Sequence, residues 1–117
     1  MKLAAVMSSC PERAETRRQT LANFGATDWG ADVEVVVDDG TGPTRVERIA
    51  STWRKALGVA AASDADVILM MEDDLEFNRN LRANVTSWSI LADIDGRQPL
   101  FCVALQPRVL GRSQSAA

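Results

Sequence analysis

The sequence has no histidine, so chemistry that depends on an imidazole, such as a histidine zinc site or a serine–histidine–aspartate triad, is excluded. It has only two cysteines, Cys10 and Cys102, which provide neither a disulfide framework nor a metal-ligand spacing. Seven glycines and four prolines are too few for a low-complexity linker. Because histidine is absent, a general acid or base must be an aspartate or a glutamate, with lysine or cysteine as more distant options.

Acidic residues slightly outnumber basic ones, 16 to 13. The net charge of −3 and the pI near 4.9 argue against nucleic-acid binding, because such domains usually present a basic face. The apolar run at residues 3–7 is too short for a spanning helix and marginal for a signal-peptide core, so we expect no transmembrane segment and a cytoplasmic location. The 117 residues, of which 46% are hydrophobic and 25% charged, are typical of one globular domain.

Strand and helix patterns alternate along the chain. Strands are predicted at residues 3–8, 33–37, 67–71 and 100–105, and helices at 12–24, at 46–60 and after Asn78. The valines of the second strand favour burial on both faces. Crossovers of this length favour a parallel sheet with helices on both sides. The expected fold is a three-layer α/β/α, Rossmann-like domain with a mostly parallel sheet of about four strands over residues 1–110, followed by a patternless tail at 111–117.

Each predicted helix has an apolar face that should pack on the sheet. In the second helix, the best amphipathic segment, this face consists of Val46, Ile49, Ala50, Trp53, Leu57 and Ala60. In the first helix it consists of Ala14, Leu21 and Phe24, and in the third of Leu81, Val85, Trp88 and Ala92.

Polar residues follow each of the first three predicted strands, at residues 8–10, 38–40 and 72–74. The carboxyl ends of parallel strands meet at one edge of the sheet, so five carboxylates should converge there. Crowded carboxylates raise one another's pKa, and a divalent cation with a preference for hard oxygen ligands, such as magnesium, manganese or calcium, relieves this. The acids at 38–39 alone are typical of a turn, whereas the three acids at 72–74 directly abut an apolar strand and indicate a site.

The chain resembles the nucleotide-sugar-dependent glycosyltransferases of the GT-A fold at these segments. Residues 35–42 (VVVDDGTG) resemble the strand and turn of glycosyltransferase family 2. Residues 51–58 (STWRKALG) are similar to the helix before that family's metal motif, with Lys55 in place of an asparagine. Residues 67–74 (VILMMEDD) resemble the strand carrying the DxD motif, in a Glu-Asp-Asp form similar to the N-acetylglucosaminyltransferase I branch. The resemblance covers residues 2–103.

The resemblance implies that a UDP- or GDP-linked sugar binds through Mn²⁺ or Mg²⁺ and that the sugar passes to an acceptor hydroxyl. Asp74 would bind the metal that bridges the diphosphate. The implied nucleotide-sugar-binding residues are Ser8 and Arg13 at the base pocket, Asp38 and Asp39 at the base or ribose, Arg54 near the nucleotide, Glu72 at the ribose or donor sugar, and Asp73 at the ribose or the metal waters.

The resemblance assigns no catalytic base. Family members continue past the metal motif, and inverting members carry the catalytic acid there, where this sequence has only Asp93 and Asp95 in a stretch typical of a turn. The chain is therefore expected to be the donor-binding half of a transferase, a degenerate copy, or one that a partner completes. An apolar sheet edge beyond the fourth strand would also favour a homo-oligomer.

Other functions fit the same α/β class. A non-catalytic nucleotide- or metal-binding module would keep the fold and the acidic edge without turnover. A receiver-like signalling domain would need acids after its first strand and a late lysine, whereas this chain has Ser8 and Ser9 there and both lysines precede the third strand. A haloacid-dehalogenase-like phosphatase would need an aspartate where Val37 stands.

Overall fold

A computed structural model describes residues 2–88 of the chain. The elements are β1 (Leu3–Ser9), a 3-10 turn (Pro11–Arg13), α1 (Ala14–Gly25), β2 (Val33–Val37), α2 (Arg45–Ala62), β3 (Val67–Met71) and α3 (Leu81–Thr86). The sheet has β1 in the centre, with β2 and β3 parallel to it on either side. The predicted α/β class is confirmed with these three strands. The predicted fourth strand at 100–105, the boundary at residue 110 and the tail lie outside the described residues.

The central strand buries both of its faces. Met7 packs with Phe24 and Trp29 in a first core, on the side of α1 and α3. Val6 packs with Ala56 and other residues of α2 in a second core. Successive side chains of a strand point to opposite faces, so β1 separates two helix layers and the predicted three-layer arrangement is present. No helix within residues 2–88 is long and apolar enough to cross a membrane.

The prediction that the second strand is buried on both faces is wrong. In β2, Val35 and Val36 are half-buried, and Glu34 and Val37 are exposed. Within the described part of the chain β2 has β1 on one side and no strand on the other, so solvent reaches its outer edge. The valine run reflects the preference of β-branched residues for strands and not complete burial.

The predicted inner face of α2 is also wrong in part. Val46, Ile49 and Leu57 are exposed, and Trp53 is only partly buried at the margin of the second core. The residues that α2 buries are Ser51, Thr52, Ala56 and Ala60. Small side chains one turn apart allow the helix to approach the sheet closely, which places the larger apolar side chains in the adjacent row.

The helices α1 and α3 cover the first core. Leu21 and Phe24 pack there as predicted, and so do Leu81 and Val85. The predictions for Ala14 and Trp88 are wrong, because both side chains are exposed. Ala14 stands in the first turn of α1, and Trp88 follows the end of α3. The predicted contact of Ala92 lies outside the described residues.

Candidate functional site at the carboxyl edge of the sheet

The register of the sheet brings Ser9 and Asp73 together at the carboxyl end of β1. Met7 of β1 is paired with Met71, the last residue of β3; β1 continues to Ser9, and Asp73 stands two residues after the end of β3. Ser9 and Asp73 therefore lie side by side on the face that carries α1. The Ser9 hydroxyl donates a hydrogen bond of 2.7 Å to Oδ2 of Asp73.

Asp73 is a buried carboxylate with both oxygens occupied. Its side chain is 8% exposed. Oδ2 accepts from Ser9, and Oδ1 accepts from Nε of Arg13 at 2.9 Å. The Thr20 hydroxyl also donates to the backbone carbonyl of Asp73 at 2.6 Å. A charge taken out of water needs such partners, so this network fixes the β3 end against β1 and α1.

Arg13 spans two neighbouring acids. Besides its hydrogen bond to Asp73, its Nη2 lies 3.3 Å from Oδ2 of Asp74, whose side chain is 38% exposed. The hydrogen bond to Asp73 raises the pKa of the Arg13 guanidinium, and the charges of both carboxylates add to the effect. The edge therefore already holds one cation between the two acids that were predicted to approach a metal.

The segment after β2 reaches the same edge. The amide of Asp38 donates to the carbonyl of Ser9 at 2.9 Å, so the segment continues beside β1. Asp38 then accepts from the amide of Gly40 at 2.8 Å, which forms an Asx turn with Gly40 at φ 85°. The Arg48 side chain lies 3.9 Å from the Asp38 carboxylate. This turn places the 38–39 acids beside the part of α2 that carries Arg48 and Lys55.

Asp39 is held by Lys55 of α2. The two side chains form an ion pair, and Asp39 also accepts hydrogen bonds from the amide and the hydroxyl of Thr41. The Lys55 ammonium, helped by Thr41, keeps the pKa of the Asp39 carboxyl well below its usual value. The carboxylate therefore stays charged near neutral pH and can accept hydrogen bonds from ligand hydroxyl groups.

The remaining residues implied by the resemblance lie in different positions. Ser8 is half-buried within β1, and strand alternation places it on the α2 face, opposite Ser9. Glu72 is exposed at the end of β3. Arg54 is exposed on α2, and it is the next residue, Lys55, that contacts Asp39.

Two residues of this edge, Ser9 and Arg17, are not among the site residues implied by the resemblance, although Ser9 belongs to the polar segment 8–10 that was predicted to reach this edge. Ser9 accepts a hydrogen bond of 2.9 Å from Nη1 of Arg17 in addition to donating to Asp73. The same nitrogen of Arg17 donates to the carbonyl of Cys10 at 3.2 Å. The available signals were the two-residue alternation that puts Ser9 on the face of Met7, and the one-turn spacing that puts Arg17 beside Arg13.

Cys10 also lies on this edge, where it is half-buried. Burial raises the pKa of the Cys10 thiol, and the neighbouring Glu12 carboxylate raises it further. The thiol is therefore protonated near neutral pH, which does not favour a nucleophile at this position.

An open groove of about 520 Å³ lies at the opposite end of the sheet. Its lining includes Leu3, Val33 and Val59, together with Asp32 and Ser63. It lies at the amino end of β1, whereas both acidic segments lie at the carboxyl end. In open parallel sheets ligands bind beyond the carboxyl ends, so we place the candidate site there and not in the groove.

The fold and this edge define a parallel α/β domain with acidic and basic side chains interleaved at the carboxyl ends of its strands. Comparisons of the chain with known protein families, with curated proteins and with solved structures find no match.

Proposed function

We propose that this chain is a GT-A-like domain that binds a nucleotide-diphosphate sugar, UDP- or GDP-linked, through a divalent metal at the carboxyl edge of its sheet. The observation that carries the proposal is the position of Ser9, at the end of the central strand. Its carbonyl accepts from Asp38 and its hydroxyl donates to Asp73, so the acids after β2 and after β3 flank the same residue. A ligand at this edge can contact both segments at once.

Asp74 fits the role of metal ligand better than Asp73 does. Both oxygens of Asp73 are occupied and the side chain is buried, whereas the Asp74 carboxylate is 38% exposed. Within residues 2–88 no three acidic, histidine or cysteine side chains are close enough to hold a metal by themselves. One carboxylate with diphosphate oxygens and water completing the shell is a common arrangement for Mg²⁺, and Mn²⁺ accepts the same hard ligands.

The other side chains provide contacts for the rest of the donor. Asp38 and Asp39 are acceptors for the ribose or base, Glu72 for the ribose or donor sugar, and Ser8 and Arg13 border the base pocket, with Arg54 near the nucleotide. The bound metal would neutralise charge on the diphosphate leaving group. Transfer of the sugar to an acceptor hydroxyl is the reaction that such binding serves.

The second candidate is a non-catalytic nucleotide- or metal-binding module with the same fold. The observation that favours it is the placement of Arg13, which already lies against the carboxylates of Asp73 and Asp74. Because basic side chains of the chain itself already balance these acids, the acidic edge can be stable in a protein that catalyses no reaction.

Calorimetric titration of UDP and GDP, with and without MnCl₂, tests donor binding. We expect one of the nucleotides to bind only with the metal, and Asp74→Asn to weaken that binding by about tenfold or more, because a charge-assisted contact is lost. Glu76→Gln is the control, since this exposed acid stands two residues further on. Binding without metal, or equal binding by wild type and Asp74→Asn, contradicts the proposal.

Release of the nucleoside diphosphate from UDP- and GDP-sugars distinguishes the two candidates. A transferase domain is expected to hydrolyse its donor slowly when Mn²⁺ is present, and Asp74→Asn should abolish that release. Binding of the nucleotide without any release at saturating metal supports the non-catalytic module.

A further inference from the structure

Arg17 differs from the other cations of the carboxyl edge in its partners. It lies on α1, half-buried, and its Nη1 donates to the Ser9 hydroxyl and to the Cys10 carbonyl. Both acceptors are neutral. Within residues 2–88 no carboxylate forms a direct ion pair with Arg17, and Asp73 is linked to it only through the Ser9 hydroxyl.

The neighbouring cations are already engaged. Arg13 pairs with Asp73 and Asp74, Arg48 lies against Asp38, and Lys55 pairs with Asp39. An anion that reaches the edge must compete with a carboxylate for each of these three cations. At Arg17 no carboxylate of the described part of the chain lies within ion-pair distance, and the nearest link is to Asp73 through the Ser9 hydroxyl.

The guanidinium of Arg17 also has N–H donors that form no hydrogen bond within residues 2–88. Its two hydrogen bonds use Nη1 alone, and its Nε and Nη2 donate to no group within residues 2–88. Arginine stays protonated at any physiological pH, and its planar fork matches two oxygens of a phosphate. The contacts to Ser9 and Cys10 hold the fork in place, which lowers the entropy lost when a ligand binds.

We propose that Arg17 is the anion-binding residue of the carboxyl edge and that it donates to phosphate oxygens of the bound nucleotide. The identity of the ligand as a nucleoside diphosphate rests on the proposed function. The preference for a phosphate group rests on the geometry of Arg17 and can be measured without any nucleotide or metal.

The test is calorimetric titration of the full chain with inorganic pyrophosphate in EDTA, and separately with UDP or GDP in MnCl₂. Arg17→Gln is expected to weaken pyrophosphate binding about tenfold, because a charge-assisted contact is removed. Arg18→Gln is a matched control: it removes the same charge from the next residue, where Arg18 is exposed and pairs with Glu15. We expect this control to change the affinity by less than about twofold.

Three outcomes overturn the proposal: no binding of pyrophosphate to the wild type, an unchanged affinity in Arg17→Gln, or equal weakening by the two variants. Pyrophosphate binding that depends on Arg17 supports it even if UDP and GDP fail to bind with Mn²⁺, a result that removes the glycosyltransferase proposal alone. Metal-dependent nucleotide binding that Arg17→Gln leaves unchanged supports the proposed function and overturns the role of Arg17.

Circular dichroism melts check that each variant folds, since Arg17 also contacts Ser9. If Arg17→Gln does not fold, Arg17→Lys replaces it, because lysine keeps the charge and loses the planar fork. Weakened pyrophosphate binding by a folded Arg17→Lys protein supports the proposal, and binding equal to the wild type overturns the role of the fork.

Discussion

Asp73 and Asp74 are adjacent and chemically identical, yet the fold uses them differently. The Asp73 side chain is 8% exposed and accepts from Ser9 and Arg13, whereas the Asp74 side chain is 38% exposed and lies 3.3 Å from Arg13. Both residues lie in the bend after β3, where Asp73 turns inward to Ser9 and its carbonyl accepts from Thr20, whereas Asp74 lies nearer the solvent. We infer that Asp73 stabilises the edge and that Asp74 serves the ligand.

This division predicts stability losses of different size for two matched variants. Asp73→Asn removes the negative charge and replaces one acceptor oxygen by an NH2 donor, so either Ser9 or Arg13 loses its acceptor. We expect a loss of about 2 kcal/mol, reduced from a fully buried case by the exposure of Arg13. Asp74→Asn should cost less than about 1 kcal/mol. Urea unfolding followed by circular dichroism at pH 7 measures both. Equal losses would contradict the division.

The sequence predicts the acids at this edge but not their partners. The apolar run at 67–71 predicts that residues 72–74 follow a strand, and it correctly places them at a carboxyl end. The choice of Ser9 over Ser8 as the partner of Asp73 depends on the register between β1 and β3. That register is set by packing of residues far apart in the chain, so local patterns do not contain it.

The loop between β2 and α2 shows how one element depends on a glycine. Thr44 is the N-cap of α2, and its hydroxyl oxygen accepts from the amide of Glu47 at 3.2 Å. Gly42 has φ 113°, and a Cβ on it would lie 2.9 Å from the Cβ of Glu47. The loop therefore passes too close to the first turn of α2 for a side chain.

Gly42→Ala is expected to destabilise the domain by roughly 2 kcal/mol, because it combines an unfavourable φ with a steric clash. Gly58→Ala is the matched control within α2. A Cβ on Gly58 meets no atom within 4 Å, so this change should stabilise the helix by about 0.5–1 kcal/mol. Thermal and urea unfolding of the two variants measure the pair. Shifts of the same sign in both would show that the loop adapts and that the clash is relieved.

The helix α2 also shows what periodicity leaves undetermined. Apolar residues at three- and four-residue steps correctly predict that α2 exists and nearly where it begins and ends. They do not determine which of two adjacent rows of side chains along the helix faces the sheet. The buried row contains Thr52 and Ala56, which are less apolar than the exposed Val46 and Leu57. Close approach of the helix to β1 favours small side chains in the buried row. Hydropathy alone would place the more apolar row against the sheet, and that row is the exposed one.

At the scale of the whole molecule, parallel topology accounts for what could be predicted. Alternating strands and helices imply parallel strands, and parallel strands imply that the segments after them share an edge. The contacts of Ser9 with Asp38 and Asp73 agree with that expectation. The pairing of the edge acids with Arg13, Arg48 and Lys55 was not predictable, because those cations come from α2 and the turn before α1.

A shared edge makes the binding of metal and nucleotide thermodynamically coupled. If Asp74 and the diphosphate hold the same metal, each ligand must raise the affinity of the other by the same factor. We therefore expect Mn²⁺ and the preferred nucleotide together to raise Tm by more than the sum of their separate shifts. At about 100 times Kd the stabilisation is about 2.7 kcal/mol, a Tm shift on the order of 10 °C for a chain of this size.

Differential scanning calorimetry of the wild type and Asp74→Asn measures this coupling. Asp74→Asn should keep a Tm close to that of the wild type without ligands, because its ion pair is partly exposed, and should lose the additional shift when both ligands are present. Glu76→Gln should retain that shift. Strictly additive shifts in the wild type, or an undiminished extra shift in Asp74→Asn, would mean that metal and nucleotide do not meet at Asp74.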